Sequence, residues 1–225
     1  MIREVWVHVH KAGGTLMCKM AKLNEHVVYP NENCNWKGHD SWKQSGMRHY
    51  KKPCKDRVLL FESGGFTYEQ IEREMDDDEF CDEFRYGVML REPLSLMNSI
   101  VNFEIWFQRK FEHHSVGIPD DVEEWLKSKI AMREVPVNQL QPWAWLDNFQ
   151  TRLLANAFHV PAGKITEEHL EKARSRLEKH NFTVHTLEDL PTRGEQLFAE
   201  LGWKIPPFSF EEKVNILRTR MNNIE

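Results

Sequence analysis

A chain of 225 residues with 40% hydrophobic content is long enough to bury one sizeable core, and a single domain spanning residues 1–225 is expected. The formal charge of −5 speaks against a general nucleic-acid binder, which carries a basic surface. No apolar run approaches the roughly 20 residues of a membrane span, and Met1 leads almost at once into a strand-like segment, so a soluble chain without signal peptide or membrane segment is expected.

The first segment, Val5-Trp6-Val7-His8-Val9-His10, reads as a short buried strand running into Gly13-Gly14-Thr15 and a helix from Leu16 to about Asn24. Residues 27–56 read as a loop. From Asn35 to Arg57 it carries seven bases (Lys37, Lys43, Arg48, Lys51, Lys52, Lys55, Arg57) against Asp40 and Asp56. Such a basic stretch suits either an anionic glycan or plain solvation, with Trp36 and Trp42 available to stack on a sugar. Val58-Leu59-Leu60-Phe61 reads as a second buried strand closed by Ser63-Gly64-Gly65, and a helix is expected from about Tyr68 to Met75. The acidic run from Asp76 to Glu83 reads as a solvated turn.

Phe84 to Leu90 is a third strand, and Pro93 suits the first turn of a helix through Ser99 towards Arg109. Helices are then expected over Asp120–Arg133, Pro142–Phe158 and Thr166–Lys179, the last opened by a capping threonine; a strand is expected over Phe182–Leu187 and a helix over Gly194–Leu201. Strands alternating with helices give an α/β fold: a P-loop-like parallel sheet flanked by helices, with a largely helical second half. None of the four cysteines (Cys18, Cys34, Cys54, Cys81) forms a CxxC pair. Cys34 and Cys54 flank the basic loop, either bridged in an oxidising compartment or as two free thiols.

Ligands of open parallel sheets bind beyond the carboxyl ends of the strands. After the first strand stands His8-Val9-His10-Lys11-Ala12-Gly13-Gly14-Thr15, where paired glycines admit close anion approach, the following helix offers free N–H groups, and Lys11 adds a charge. No GKS or GKT follows, which disfavours an ordinary P-loop kinase. After the third strand stands Leu90-Arg91-Glu92-Pro93, with Ser99 about two helical turns along; a guanidinium fork and a hydroxyl together suit one phosphate.

These two motifs, HVHKAGGTL and LREP with Ser99, resemble the HIPKTGGTS and LRDP-serine motifs of the 3′-phosphoadenosine-5′-phosphosulfate (PAPS) dependent sulfotransferases, in particular the membrane-associated glycan type such as heparan sulfate 2-O- and 6-O-sulfotransferases. Asp147-Asn148-Phe149-Gln150-Thr151-Arg152-Leu153-Leu154 is similar to a DNxQTRxLxG helix of that group, and Ile165 to Ala173 with Arg176-Leu177 also matches, so that the resemblance spans about residues 5–203. The resemblance implies that Lys11, Ala12, Gly13, Gly14 and Thr15 hold the 5′-phosphosulfate and that Arg91 and Ser99 hold the 3′-phosphate. It implies PAPS as co-substrate, no metal, a carbohydrate or other hydroxyl acceptor, and a Golgi-type family setting.

Sulfuryl transfer spreads charge over peripheral oxygens, so positioning and cationic stabilisation should dominate, with Lys11 stabilising the departing bridging oxygen. The acceptor hydroxyl needs a base. The histidine that comes after the second strand in the heparan sulfate enzymes has no match in Leu60 to Phe66. Glu62 is the substitute expected there, set against a purely structural ion pair, with His39 and His49 in reserve. His8 and His10 share a strand face but are not expected to bind metal, and Arg152 serves either the core or the site. Two other readings stay open: a nucleotide-binding protein of this fold without catalysis, and an atypical nucleotide kinase.

Overall fold

In the computed structural model, which describes residues 3–29, 33–35, 53–111, 123, 127 and 147–204, four strands form one parallel sheet. They are β1 (Arg3–Val7), β2 (Tyr68–Ile71), β3 (Phe84–Leu90) and β4 (Thr183–Thr186), in the spatial order β2-β1-β3-β4. The helices among the described residues are α1 (Gly14–Leu23), α2 (Cys54–Gly64), α3 (Pro93–Phe111), α4 (Phe149–Ala155), α5 (Glu167–Lys179) and α6 (Leu190–Leu201).

Alternation along β1 decides how the layers form. Val5 and Val7 turn to one face, where they meet Phe61 of α2, Leu96 and Ile100 of α3 and Leu153 of α4. Trp6 turns to the other, against Met17 and Met20 of α1 and Leu197 and Phe198 of α6. The sheet is therefore covered on both faces, as a parallel sheet requires, and each such buried side chain contributes about 1.5–3 kcal/mol of transfer free energy. Trp6 stands opposite Gly87 of β3, where a Cβ would come within 2.1 Å of the indole.

From β1 the chain moves outward to β2, then crosses back over β1 to β3, so its direction of progress reverses between β1 and β3. The helix following β1 covers one face and the helix following β3 the other. In open α/β sheets such a reversal marks the ligand crevice, which here falls at the carboxyl ends of β1 and β3.

The strand Phe84–Leu90 and the helix start at Pro93 are as expected, as are α1, β4, the Thr166 cap of α5 and the helix over 194–201, which begins earlier, at Leu190; the first strand, expected over 5–10, runs instead over Arg3–Val7, so that His8, Val9 and His10 lie in the loop after it. Residues 58–61 are a correction: they lie within helix α2, not a strand. Pro53 precedes the helix and Gly65, at φ 64°, ends it, while Leu59 is 53% exposed, as one side of a surface helix permits and a buried strand does not.

Residues 68–71, expected as helix, form β2 instead. Their polar members hide by long-range pairing: Glu69 takes a hydrogen bond from Arg57, and Gln70 Nε2 donates to the Gly14 carbonyl. The acidic run is likewise more than a solvated turn. Glu79 is buried between Arg57 and Arg73, and Asp77 pairs with Arg176. Helix α4 stops at Ala155 because Asn156 turns left-handed, short of the expected Phe158.

The cysteines pair as Cys18–Cys34 and Cys54–Cys81, so the Cys34–Cys54 bridge and the free thiols are both corrected. Cys34 packs with the Trp6 face and Cys54 with the opposite face, so the sheet separates them. The expectations for Trp36, Trp42, His39, His49, Lys51 and Lys52 lie outside the described residues. So does the helix over 120–133, apart from Glu123 and Lys127, which are helical and paired at 2.7 Å. No helix among the described residues is long and apolar enough to cross a membrane.

Candidate functional site

The crevice is built from the segments just past the carboxyl ends of the strands. After β1 the backbone folds over itself, with Ala12 N–H donating to the Val9 carbonyl at 3.0 Å and Lys11 held at φ 62°, a left-handed conformation uncommon for a side-chain-bearing residue. Gly13 comes next at φ 87° and α1 starts at Gly14. Gly14 is required by contact rather than by torsion: a Cβ there would lie 2.0 Å from Nε2 of the buried His8. The loop is therefore seated directly on the His8 ring, and α1 starts at this rim with no acidic residue in its first turn.

Arg91 opens the opposite wall. Its guanidinium Nη1 donates to the Lys11 carbonyl at 2.9 Å, so the glycine-bearing and arginine-bearing motifs, 80 residues apart, are joined across the switch point. Its backbone is fixed by Gln150 of α4, whose Oε1 accepts from Arg91 N–H at 2.9 Å and whose Nε2 donates to the Arg91 carbonyl at 2.8 Å. Glu188, after β4, lies 3.8 Å from Arg91 Nε and accepts from Glu92 N–H. The Glu92 carboxylate itself caps α3, accepting from the N–H groups of Leu94 and Ser95; those bonds hold its pKa below the usual carboxylate range.

Ser99 does not join Arg91 as directly as the sequence spacing suggests. Its side chain is buried within α3, and its Oγ finds no hydrogen-bond partner among the described residues. Thr15 is exposed and donates to Asn33 Oδ1 at 2.7 Å. The Lys11 ammonium lies 4.2 Å from the centroid of Phe103 on α3, a cation–π contact that holds it beside the loop.

Glu62 is not in the crevice. It sits on α2, 51% exposed, and accepts from Arg3 at 3.0 Å, at the amino end of β1 and thus the opposite rim of the sheet from Lys11. Arg152 serves the core: wholly buried, it pairs with Asp147 and donates to the carbonyls of Ala157, Val160 and Pro161, which closes the turn after α4.

The carboxylate that does reach the crevice is Glu72, the first residue after β2. Its Oε1 meets His10 Nδ1 at 2.6 Å, its Oε2 accepts from Asn35 Nδ2 at 2.8 Å, and His8 Nδ1 lies 3.7 Å away. Burial alone would raise the Glu72 pKa, but the imidazoles of His8 and His10 and the hydrogen bonds from His10 and Asn35 outweigh it and bring it down to about 2. Burial pushes the pKa of His8, the ring beneath Gly14, down against the opposing pull of the Glu72 carboxylate. Asn35 is delivered by the disulfide beside it, since Cys34 is tied to Cys18 of α1, and by its bridge to Gln70 of β2.

Sequence reasoning misses Glu72 because residues 68–75 read as one helix. The signal that finds it is the parallel register Val7↔Ile71, which makes Glu72 the counterpart of His8 at the same rim. As to metals, Cys54 and Cys81 lie close to Glu83, but both sulfurs belong to a disulfide. Comparison of the chain with protein-family models, with curated proteins and with solved structures returned no match.

Proposed function

We propose that this chain is a PAPS-dependent sulfotransferase that moves a sulfuryl group to a hydroxyl, with a carbohydrate as the acceptor class. The 5′-phosphosulfate would lie on the P-loop-like turn of Lys11, Ala12, Gly13, Gly14 and Thr15, where α1 offers its amino end. Arg91 would take the 3′-phosphate, and Ser99 would add its hydroxyl from α3. The observation that carries this reading is the hydrogen bond from Arg91 to the Lys11 carbonyl, because it draws two anion-seeking motifs to one crevice at the switch point of the sheet. A doubly phosphorylated adenosine has its anionic groups at both ends of the ribose and suits two converging cationic sites better than one.

Catalysis in such a site is positioning plus charge stabilisation. Lys11, held over Phe103 beside the loop, stabilises the bridging oxygen as it takes up charge. Two disulfides fit a chain that matures in an oxidising compartment, as glycan-modifying enzymes do. The placement of Glu62 at the far rim favours one rival, a nucleotide-binding protein without catalysis. Labelled sulfate transfer from PAPS onto a panel of desulfated glycans and small alcohols separates the two. Transfer that falls at least about tenfold in Arg91→Ala, the loss of one charge-assisted phosphate contact, is the expected result. Absence of any transfer or sulfate release by folded wild-type protein contradicts catalysis.

A further inference from the structure

We propose that Glu188 is a counter-charge built into the nucleotide crevice: it pairs with Arg91, and the 3′-phosphate of the nucleotide must displace it. The inference rests on the donor reading above and names the residue that sets how tightly that nucleotide is held. Strand register brings Glu188 to the rim. Leu90 of β3 pairs with Thr186 of β4, so the residues that follow each, Arg91-Glu92 and Leu187-Glu188, leave the sheet side by side. Both oxygens of Glu188 are engaged there: Oε1 lies 3.8 Å from Arg91 Nε, and Oε2 accepts from Glu92 N–H at 3.1 Å. The short turn that carries it, Leu187–Asp189, packs on the anion loop itself, since a Cβ at Gly13 would lie 3.1 Å from Leu187 Cδ1. A carboxylate is thus lodged beside the two segments that the sequence equips for anions.

The electrostatics follow from that placement. Nη1 of Arg91 donates to the Lys11 carbonyl, and Glu188 stands at the Nε edge of the same guanidinium. A phosphate approaching Arg91 meets a cation whose charge is already shared, and repulsion between carboxylate and phosphate adds to the cost. The Glu188 side chain is 41% exposed against 16% for Arg91, so the carboxylate has solvent to swing into while the guanidinium stays fixed. Glu92 does not compete in this way, because its carboxylate is occupied by the N–H groups of Leu94 and Ser95. An ion pair with so exposed a partner contributes little to folding, so its charge acts on the ligand more than on the fold.

Exchange of the carboxylate for a phosphate leaves Arg91 paired before and after, and only the surplus of the second pairing counts towards affinity. Donor and product both carry the 3′-phosphate. Glu188 therefore weakens the hold on PAPS and on 3′-phosphoadenosine-5′-phosphate (PAP) alike, and shortens the residence of the spent nucleotide.

The test is a calorimetric titration of the full chain with PAP and with adenosine 5′-phosphate, which lacks only the 3′-phosphate. Wild type, Glu188→Gln, Arg91→Ala and the double variant are compared, alongside urea unfolding. Glutamine keeps an oxygen for Glu92 N–H and removes the charge. Glu188→Gln should bind PAP about fivefold tighter than wild type, bind adenosine 5′-phosphate within about 1.5-fold, and unfold at the same urea midpoint. In the Arg91→Ala background the gain should disappear. PAP affinity in Glu188→Gln within about 1.5-fold of wild type or weaker, an equal gain for adenosine 5′-phosphate, or the same gain without Arg91 overturns the counter-charge while leaving the donor reading intact. Folded wild-type protein that fails to bind PAP overturns the donor reading and the counter-charge with it.

Discussion

Gly14→Ala tests the geometry of the anion loop without touching its charges. A methyl group at residue 14 would stand 2.0 Å from His8 Nε2 and 2.3 Å from both Cδ2 and Cε1, against the 3.5–4.0 Å of ordinary carbon contacts. The His8 ring has to retreat by more than an ångström, yet it is buried and held between Asn35 at 3.4 Å and Glu72 at 3.7 Å. Overpacking of this kind costs about 3 kcal/mol, the upper part of its usual range. Alanine's helix preference over glycine returns up to about 1 kcal/mol at this first helical position, so steric cost wins. The net loss is about 2 kcal/mol, read as a lower urea midpoint with unchanged slope and a Tm about 4–8 °C below wild type. Gly14→Ala combined with His8→Ala should recover at least about 1 kcal/mol relative to the sum of the single variants. Gly14→Ala as stable as wild type, or strictly additive single effects, would refute the seating of the loop on His8.

The braces of the site give two further expected outcomes. Cys18→Ser with Cys34→Ser opens a loop of 16-residue separation and should cost about 3 kcal/mol in denaturant unfolding; because Asn33 and Asn35 flank Cys34, PAP binding should weaken as well, which calorimetry on the reduced or substituted protein would read. Glu72 gives a pH signature. Its folded pKa of about 2 lies below the unfolded 4.5, so its contribution, on the order of 3 kcal/mol, is present above about pH 4.5 and is lost as pH falls towards 2. Urea unfolding between pH 5 and 2.5 should therefore steepen less with acid in Glu72→Gln than in wild type, and equal slopes would show that the carboxylate is not held ionised.

Much of the rim is readable from the sequence because its signals are local. The β1 segment with its glycines, the buried run Phe84–Leu90 and Pro93 at the start of α3 each depend on near neighbours in the chain. The edge strand β2 and the helix α2 before it are not readable for the opposite reason. A four-residue apolar run such as 58–61 carries no distinguishing period, and only Pro53 and Gly65, too far apart for a strand, reveal a helix. In β2 the polar Glu69 and Gln70 look solvent-facing until Arg57 and the Gly14 carbonyl are brought to them by the fold. The Glu72–His10 pair spans 62 residues and Gln150–Arg91 spans 59, so neither is visible before strand order is known. The cysteine pairs obey which face each segment covers, which the spacing of cysteines alone does not encode.

The most direct measurement is a calorimetric titration of the wild-type chain with PAP, paired with ATP under the same conditions. Saturable 1:1 binding of PAP, at least about tenfold tighter than ATP because only PAP offers a 3′-phosphate to Arg91, is the expected result. No heat of binding from folded protein, or equal affinity for ATP, would contradict the assignment of the crevice between β1 and β3 to this nucleotide.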